Sequence, residues 1–382
     1  MNSLFSDTKI AFQRKSNWQL RKAIVLFKLI QYPIISSVGK AAIKFSLALR
    51  LPIGLVLKPT IFDQFVGGED LKSCQKTIDQ LFEPYKVGSI LDYAVEGNNT
   101  EKSFEKAKEK IIDTIQLASV KEAIPFSVFK LSALLSFDEL QSADRISRKG
   151  MGRINQIICA TKEKSVPILI DAEESWIQDQ IDRIALSKMT ETNRDKAIVF
   201  NTLQCYRKDA LSRLRKWSEQ SQEKHYKLGI KLVRGAYLEK ERETAALTGI
   251  ESPVCDSKSD TDAVFDECLQ YCLMHLDHIE VIVASHNENS FEKMMTLVNR
   301  LGLDPSDPRI FTAQLYGMSD HLTFNLIHYK YNTVKYVPFG PLRKVLPYLF
   351  RRADENTSVM GQSTRELSLL TSELRRRKAI SS

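Results

Sequence analysis

Glycine is scarce in this chain, at 15 of 382 residues. None of it builds the GxGxxG turn that cradles a dinucleotide after a strand, or the GxxxxGK[ST] loop that wraps a nucleotide triphosphate. Gly150-Met-Gly152 is only a fragment, with no strand before it. Any nucleotide cofactor must therefore be held by another geometry. Cysteine is also sparse: six residues, no CxxC pair, and none of the density of a small disulfide scaffold. Cys268 and Cys272, with His275, share a helical face. A metal there would need a fourth ligand, so small side chains in a core stripe are the preferred reading and no metal is expected. Uncharged runs of 18 or more residues are missing, which excludes a single spanning helix. With 43% hydrophobic and 27% charged residues, disorder and collagen are excluded as well.

Acidic residues are nearly missing from the first 60 positions. Lys9, Arg14, Lys15, Arg21, Lys22, Lys28, Lys40, Lys44, Arg50 and Lys58 face Asp7 alone, so this stretch carries +9 while the whole chain carries +8. The other 322 residues hold 45 basic against 46 acidic groups. A neutral body removes support for nucleic-acid binding. Apolar clusters within 23–57 are interrupted by Lys28, Lys40, Lys44 and Arg50 and broken by Pro33 and Pro52. That pattern fits helices lying on an anionic membrane, or a helical cap with a solvated basic face. The charges lie within the apolar stretch and no small-residue cleavage site follows, unlike a secretory signal. Lys exceeds Arg, which favours a bacterial cytoplasm with peripheral membrane attachment over a mitochondrial inner-membrane or matrix location.

From about residue 85, short β-branched runs alternate with long amphipathic stretches. Strands are expected at 89–94, 126–131, 166–171, 197–203, 229–233, 280–284, 310–315 and 333–337, and helices at 101–118, 176–189, 205–220 and 290–301. Strands apolar on both faces with helices between them call for a parallel sheet. Eight units in about 300 residues suggest an α/β fold, a closed (β/α)8 TIM-type barrel. The expected layout is a helical arm at 1–84, a barrel at 85–370 and a basic C-terminal tail at 371–382.

In such a barrel, chemistry belongs at the C-terminal strand ends. Those positions hold Lys130, Asp171 with Glu173 and Glu174, Gln204, Arg234-Gly235, Ser285-His286-Asn287, Gln314 and Tyr336. Further on, Tyr348, Arg351, Arg352 and Glu355 have helical spacing. Two adjacent guanidinium groups oriented by a carboxylate make a fork for a carboxylate or phosphate, although the same spacing also fits an exposed ion-pair network.

Eight ordered segments carry a resemblance: Phe129-Lys-Leu-Ser-Ala133, Ile170-Asp-Ala-Glu-Glu-Ser175, Asn201-Thr-Leu-Gln204, Lys231-Leu-Val-Arg-Gly-Ala-Tyr237, Ala284-Ser-His-Asn287, Gln314-Leu-Tyr-Gly-Met318, Lys335-Tyr-Val-Pro-Phe-Gly340 and Tyr348-Leu-Phe-Arg-Arg-Ala-Asp-Glu-Asn356. Together the sequence resembles the proline dehydrogenase family, flavoenzymes on a distorted (β/α)8 barrel. The resemblance implies oxidation of L-proline to Δ1-pyrroline-5-carboxylate, with FAD taking a hydride and electrons passing to a membrane quinone. It implies Arg351 and Arg352 on the substrate carboxylate with Glu355 as their partner. It also implies Lys130, Asp171 and Tyr336 around the substrate, and Leu315 and Tyr348 against its ring. On the flavin side it implies Ala172, Gln204, Lys231, Arg234, Gly235, Ala236, Ser285, His286 and Gln314. Lys231 stands where many bacterial members have Arg and Arg234 where they have Lys, so either could reach the flavin ring. Tyr336 favours proline over hydroxyproline, whose 4-hydroxyl a bulky phenol would crowd. A hydroxyproline dehydrogenase, a flavin-free lyase with Lys130 as Schiff-base nucleophile, and a non-catalytic membrane scaffold remain open alternatives. A length of 382 residues leaves oxidation of the semialdehyde to a separate pyrroline-5-carboxylate dehydrogenase.

Overall fold

The computed structural model describes residues 4–32, 39, 41–43, 45–46, 49, 51–94, 100–142, 146–358 and 360–381, with side chains described except at 30, 31, 353–363 and 381. Eight strands close into one parallel barrel in chain order: β1 (Gly88–Tyr93), β2 (Phe126–Lys130), β3 (Ile168–Asp171), β4 (Val199–Gln204), β5 (Leu228–Val233), β6 (Ile279–Ala284), β7 (Ile310–Leu315) and β8 (Thr333–Phe339). Each expected strand forms. The reason is visible in the two cores that the alternating side chains supply. Ile90, Phe126, Val128, Leu169, Phe200, Ile282, Ala313 and Val334 pack together inside the barrel, with Phe126 edge-on to Phe200 and Phe311. Their sequence neighbours Leu91, Phe129, Ile168, Ile170, Val199, Val281 and Val283 pack outward against the helices.

The helices that follow are α1 (Asn17–Gln31) and α2 (Leu71–Tyr85) before the barrel, then α3 (Glu101–Ala118), α4 (Arg148–Lys164), α5 (Ser175–Thr192), α6 (Ala210–Glu223), α7 (Leu238–Thr248), α8 (Lys258–Met274), α9 (Glu288–Arg300) and α10 (Asp320–His328) around it. The chain ends on α11 (Leu342–Ser358) and α12 (Met360–Ser381). Two of the helix starts are set by side-chain caps that also tie the cap's own backbone: Thr100 with Ser103 and Ser257 with Asp260 form capping boxes. The helix expected from 205 begins only at Ala210. Cys205 and Tyr206 instead extend the ladder, donating their N–H groups to the carbonyls of Val233 and Arg234 at 2.8 and 2.7 Å. At the same C-terminal end of the barrel β8 runs two residues beyond expectation, because β1 and the segment before α2 both pair with it: Asp92 and Tyr93 lie opposite Pro338 and Phe339, Gly67 N–H reaches the Pro338 carbonyl at 2.9 Å and Gly68 bridges Phe339. Cys268 and Cys272 are buried in the core, and His275 Nδ1 lies 2.8 Å from the Tyr271 carbonyl.

The described part of the N-terminal arm packs on the body. Phe5, Phe12, Leu20, Ala23 and Phe27 are buried, Phe5 edge-on to Phe291 and Phe27 edge-on to Phe65. Each large apolar side chain so buried contributes about 1.5–3 kcal/mol. Arg377 of α12 donates to the carbonyls of Lys15 and Phe12 at 2.6 and 2.9 Å. Several arm cations are neutralised locally: Lys15 lies 3.1 Å from Asp320, Lys22 lies 2.5 Å from Asp63, and Lys58 pairs with Glu69. The opposite surface keeps Trp18, Val25, Leu29, Tyr32, Leu55 and Val56 exposed. Among the described residues no helix is long and apolar enough to cross a membrane. Helix α12 runs unbroken across 370 and 371, and its Glu373 is buried between Arg376 and Arg377.

Candidate active site

Lys130 has the same parity along its strand as inward Phe126 and Val128, Asp171 as Leu169, Gln204 as Phe200, and Tyr336 as Val334. The apolar plug therefore ends at the C-terminal mouth in a layer of polar groups. A cavity of about 600 Å3 opens there. It is lined by Lys130, Asp171, Ala172, Gln204, Lys231, Arg234, Gly235, Ala236, Ser285, His286, Gln314, Leu315, Tyr336, Tyr348, Arg351 and Arg352. Glu173 and Glu174 line the adjoining cavity instead, and Glu355, carried by α11, has its side chain outside the described residues.

At the centre, the buried Asp171 carboxylate receives the Lys231 ammonium and the Tyr336 hydroxyl, the latter donating at 2.7 Å. Three strands, β3, β5 and β8, are thus joined by one carboxylate. Burial and the neighbouring Asp171 push the Tyr336 phenol well above its ordinary value, which keeps it a proton-bearing donor. Lys130 Nζ lies 3.5 Å from the Tyr237 hydroxyl. Beside it the Glu173 carboxyl accepts the Ser132 N–H at 3.0 Å, while the Glu173 carbonyl accepts Gln204 Nε2 at 2.6 Å. Burial raises the Glu173 carboxyl, opposed by the charge of Lys130.

Arg234 and Lys231 have separate environments. Arg234 lies over the Phe265 ring and donates to Asp262 Oδ1 at 2.7 Å, Ser285 Oγ at 2.7 Å and Ser290 Oγ at 2.9 Å. It braces the β5 and β6 ends, whereas Lys231 points to the barrel centre. Gly235 has φ +131°, and a Cβ there would meet the Tyr206 ring at 2.6 Å, so both conformation and space require glycine. Gln314 Oε1 accepts the Thr323 hydroxyl at 2.8 Å, while its buried Nε2 has no protein partner. His286 is held near 2.8 Å from Ser319 Oγ, and burial with the cations Lys335 and Arg352 pushes its imidazole down to about 3. Above the mouth, the Arg352 guanidinium stands 5.2 Å from the Tyr348 ring centroid.

The cavity wall also contains residues that motif reading passed over. Asp92 has the parity of inward Ile90 at the end of β1, so the strand-end rule would have found it. Tyr237 lies within a quoted motif, and its burial raises the phenol against the pull of Lys130. Arg242, Ser257, Lys258 and Thr261 stand at the α7 and α8 end. The capping box of Ser257 and Asp260 was their legible signal. A second cavity of about 1110 Å3 adjoins the first and shares Asp92, Lys130, Tyr237 and Arg351 with it.

The chain is similar to known proteins along most of its length. Residues 74–365 match the family described as proline dehydrogenase. The chain is 30% identical to proline dehydrogenase 1, mitochondrial, of Dictyostelium discoideum, across 98% of this chain and 75% of that protein. It is 35% identical to the carbapenem antibiotics biosynthesis protein CarD of Pectobacterium carotovorum, across 82% of this chain and 83% of that one. Among solved structures, proline utilization A from Bdellovibrio bacteriovorus superposes with a TM-score of 0.75 at 20% identity, over 94% of this chain and 39% of the longer protein. That last likeness concerns the fold. With the matched region spanning the whole barrel and the lining of the 600 Å3 cavity, the chain belongs to the proline dehydrogenase family.

Proposed function

We propose that the chain oxidises L-proline to Δ1-pyrroline-5-carboxylate, with FAD accepting the hydride and a membrane quinone accepting the electrons. The observation that carries this reading is the joining of two facing arrangements in one cavity: Arg351 and Arg352 on α11, and the Lys231–Asp171–Tyr336 cluster from the barrel floor. A small zwitterion calls for a cationic clamp on its carboxylate and apolar or aromatic walls for its methylenes. Arg351 and Arg352 supply the first; Leu315, Tyr336 and Tyr348 supply the second. Lys130 adds a cation that disfavours the ammonium form of the bound amine, whose nitrogen lone pair must drive loss of hydride from the adjacent carbon.

The wall also fits a dinucleotide. The unpartnered Gln314 Nε2 offers a buried donor. At the far end, Arg242 and Lys258 flank the N-terminus of the 17-residue helix α8, a setting suited to a diphosphate. When bound, FAD supplies the hydride acceptor. Lys231, Ser285, His286 and Gln314 would surround it, with Arg234 bracing Ser285. In the overall reaction L-proline loses two electrons and two protons, and a quinone taking up both becomes the hydroquinone.

The exposed apolar and basic surface of the arm supports a peripheral position on a bilayer, at a bacterial inner membrane or a mitochondrial one. Oxidation of the released semialdehyde is assigned to a separate pyrroline-5-carboxylate dehydrogenase. The test is proline-dependent reduction of a soluble dye by the wild type and Arg352→Met. Losing charged hydrogen bonds worth about 1.5–3 kcal/mol should raise KM for proline roughly 10- to 150-fold. An unchanged KM, or hydroxyproline as the better substrate, would overturn the assignment. Tyr336 favours proline over hydroxyproline in that comparison.

A further inference from the structure

Beneath the loop joining β7 to α10 lies a buried polar assembly that the proposed reaction does not use directly. Its pivot is Ser319, one of the few non-glycine residues with positive φ, at φ 49° and ψ 43°. Ser319 stands at the N-cap position of α10, where a serine ordinarily adopts extended backbone and caps the helix with its own hydroxyl. Here it makes no side-chain cap. The hydroxyl is diverted to His286 Nδ1 at 2.8 Å, and the Ser319 N–H is donated to Glu366 Oε2 at 3.0 Å. A left-handed serine persists only where its surroundings over-determine it.

Those surroundings are specific. Glu366, on α12, is buried and lies 3.6 Å from His321 Nδ1, while His321 Nε2 lies 3.2 Å from Glu288. Arg365, the residue before Glu366, donates to the same Glu288 at 2.8 Å. Lys335, fully within the protein, reaches the Met318 carbonyl at 2.5 Å and Asp320 at 3.0 Å, holding the loop from the other side. On the far side of His286, its Nε2 faces the Leu315 backbone N–H at 3.5 Å. A backbone N–H can only donate, so Nε2 is the accepting nitrogen and Nδ1 carries the proton toward Ser319.

We propose that Glu366 is a positioning residue for the catalytic cavity: through Ser319 it fixes the tautomer and orientation of His286, and through His286 the position of Leu315. Leu315 is one wall of the proline end of the cavity, so the final helix of the chain sets the fit around the substrate ring without touching it. The kinetic consequence rests on the reading of that cavity as a proline site; the tautomer of His286 does not.

Two measurements test it on the full-length holoenzyme. The first is 15N NMR of histidine-labelled protein, with His286 assigned by the signal lost in His286→Asn. The wild type should show a protonated Nδ1 and an unprotonated Nε2, and Glu366→Ala and Ser319→Ala should each mix or reverse the two. The second is steady-state kinetics with a soluble dye. Glu366→Ala should raise KM for proline about tenfold with kcat changed less than threefold. Glu366→Gln, which keeps an oxygen acceptor for the Ser319 N–H, should stay within about twofold of wild type in KM. If Glu366→Ala does not fold, Ser319→Ala carries the same two expectations. Unaltered His286 signals in the variants overturn the proposal, as does an equal loss in Glu366→Gln and Glu366→Ala, which would mark Glu366 as a fold-stabilising charge alone. A wild type with no proline-dependent reduction would instead overturn the functional reading and leave the NMR result to stand by itself.

Discussion

Replacing Asp171 by Asn should destabilise the protein more than its modest loss of contacts suggests, because it strands a cation. Asp171 and Lys231 are 9% and 5% exposed, and their contact joins β3 to β5 at the barrel mouth. Removing one partner of a buried ion pair costs about 3–5 kcal/mol, since the other charge remains without compensation. The Tyr336 hydroxyl adds little to that figure, because an Asn side-chain oxygen can still accept its 2.7 Å hydrogen bond. Lys231→Met removes the stranded cation, so the double variant should recover much of the loss. A coupling of roughly 2 kcal/mol or more is expected, well beyond the ~0.5 kcal/mol within which independent sites add. The assay is urea unfolding of wild type, both single variants and the double variant, followed by far-UV circular dichroism. Additive single effects, or an Asp171→Asn variant as stable as wild type, would refute the argument that this pair is desolvated and interdependent.

Other perturbations separate the remaining structural arguments. Gly317→Ala should cost well over about 1 kcal/mol, because φ is +81° and the new Cβ would lie 1.9 Å from the Gln64 carbonyl oxygen; Gly249→Ala, at φ +69° with open space, is the control expected near that lower figure in thermal unfolding. The buried His321 is raised above its ordinary value by Glu288 and Glu366 against the opposing effect of burial. A raised folded-state value means that its stabilisation is fully present below about pH 6.5 and is lost as pH climbs through the raised value. The stability gap between wild type and His321→Gln should therefore narrow on the alkaline side in denaturation series from pH 6 to 9, and a constant gap would contradict the assignment. Leu55→Asp with Val56→Asp, on exposed positions, should weaken co-sedimentation with anionic vesicles while leaving unfolding nearly unchanged; unaltered sedimentation would reduce the arm to a cap.

Much of the barrel was legible because a strand covered on both faces must read as a continuous apolar run, and eight such runs recur between amphipathic segments. The site was legible for a related reason: polar residues such as Lys130, Asp171 and Gln204 interrupt that apolarity where the strands end. Asp92 obeys the same rule, but Tyr93 and Ala94 prolong the apolar run beyond it and put the expected strand end at 94. The extension of β8 has a different cause, since its partners Gly67, Gly68 and the end of β1 lie far away in sequence. The arm's charge was legible only in part. Lys15 looks like a free surface cation in isolation, yet the buried Asp320, brought to it by the fold, pairs with it at 3.1 Å. Ser319 and Glu366 likewise carry no local pattern that distinguishes them. Their relation to His286 exists only once α12 packs against the loop after β7.

The central claim is that this cavity joins a flavin to proline. The visible spectrum of the purified protein, recorded without oxygen before and after adding L-proline, tests it most directly. The account predicts a yellow protein whose flavin absorbance bleaches on addition of L-proline. A colourless protein that takes up no FAD, or a flavin band that L-proline leaves unchanged, would contradict it.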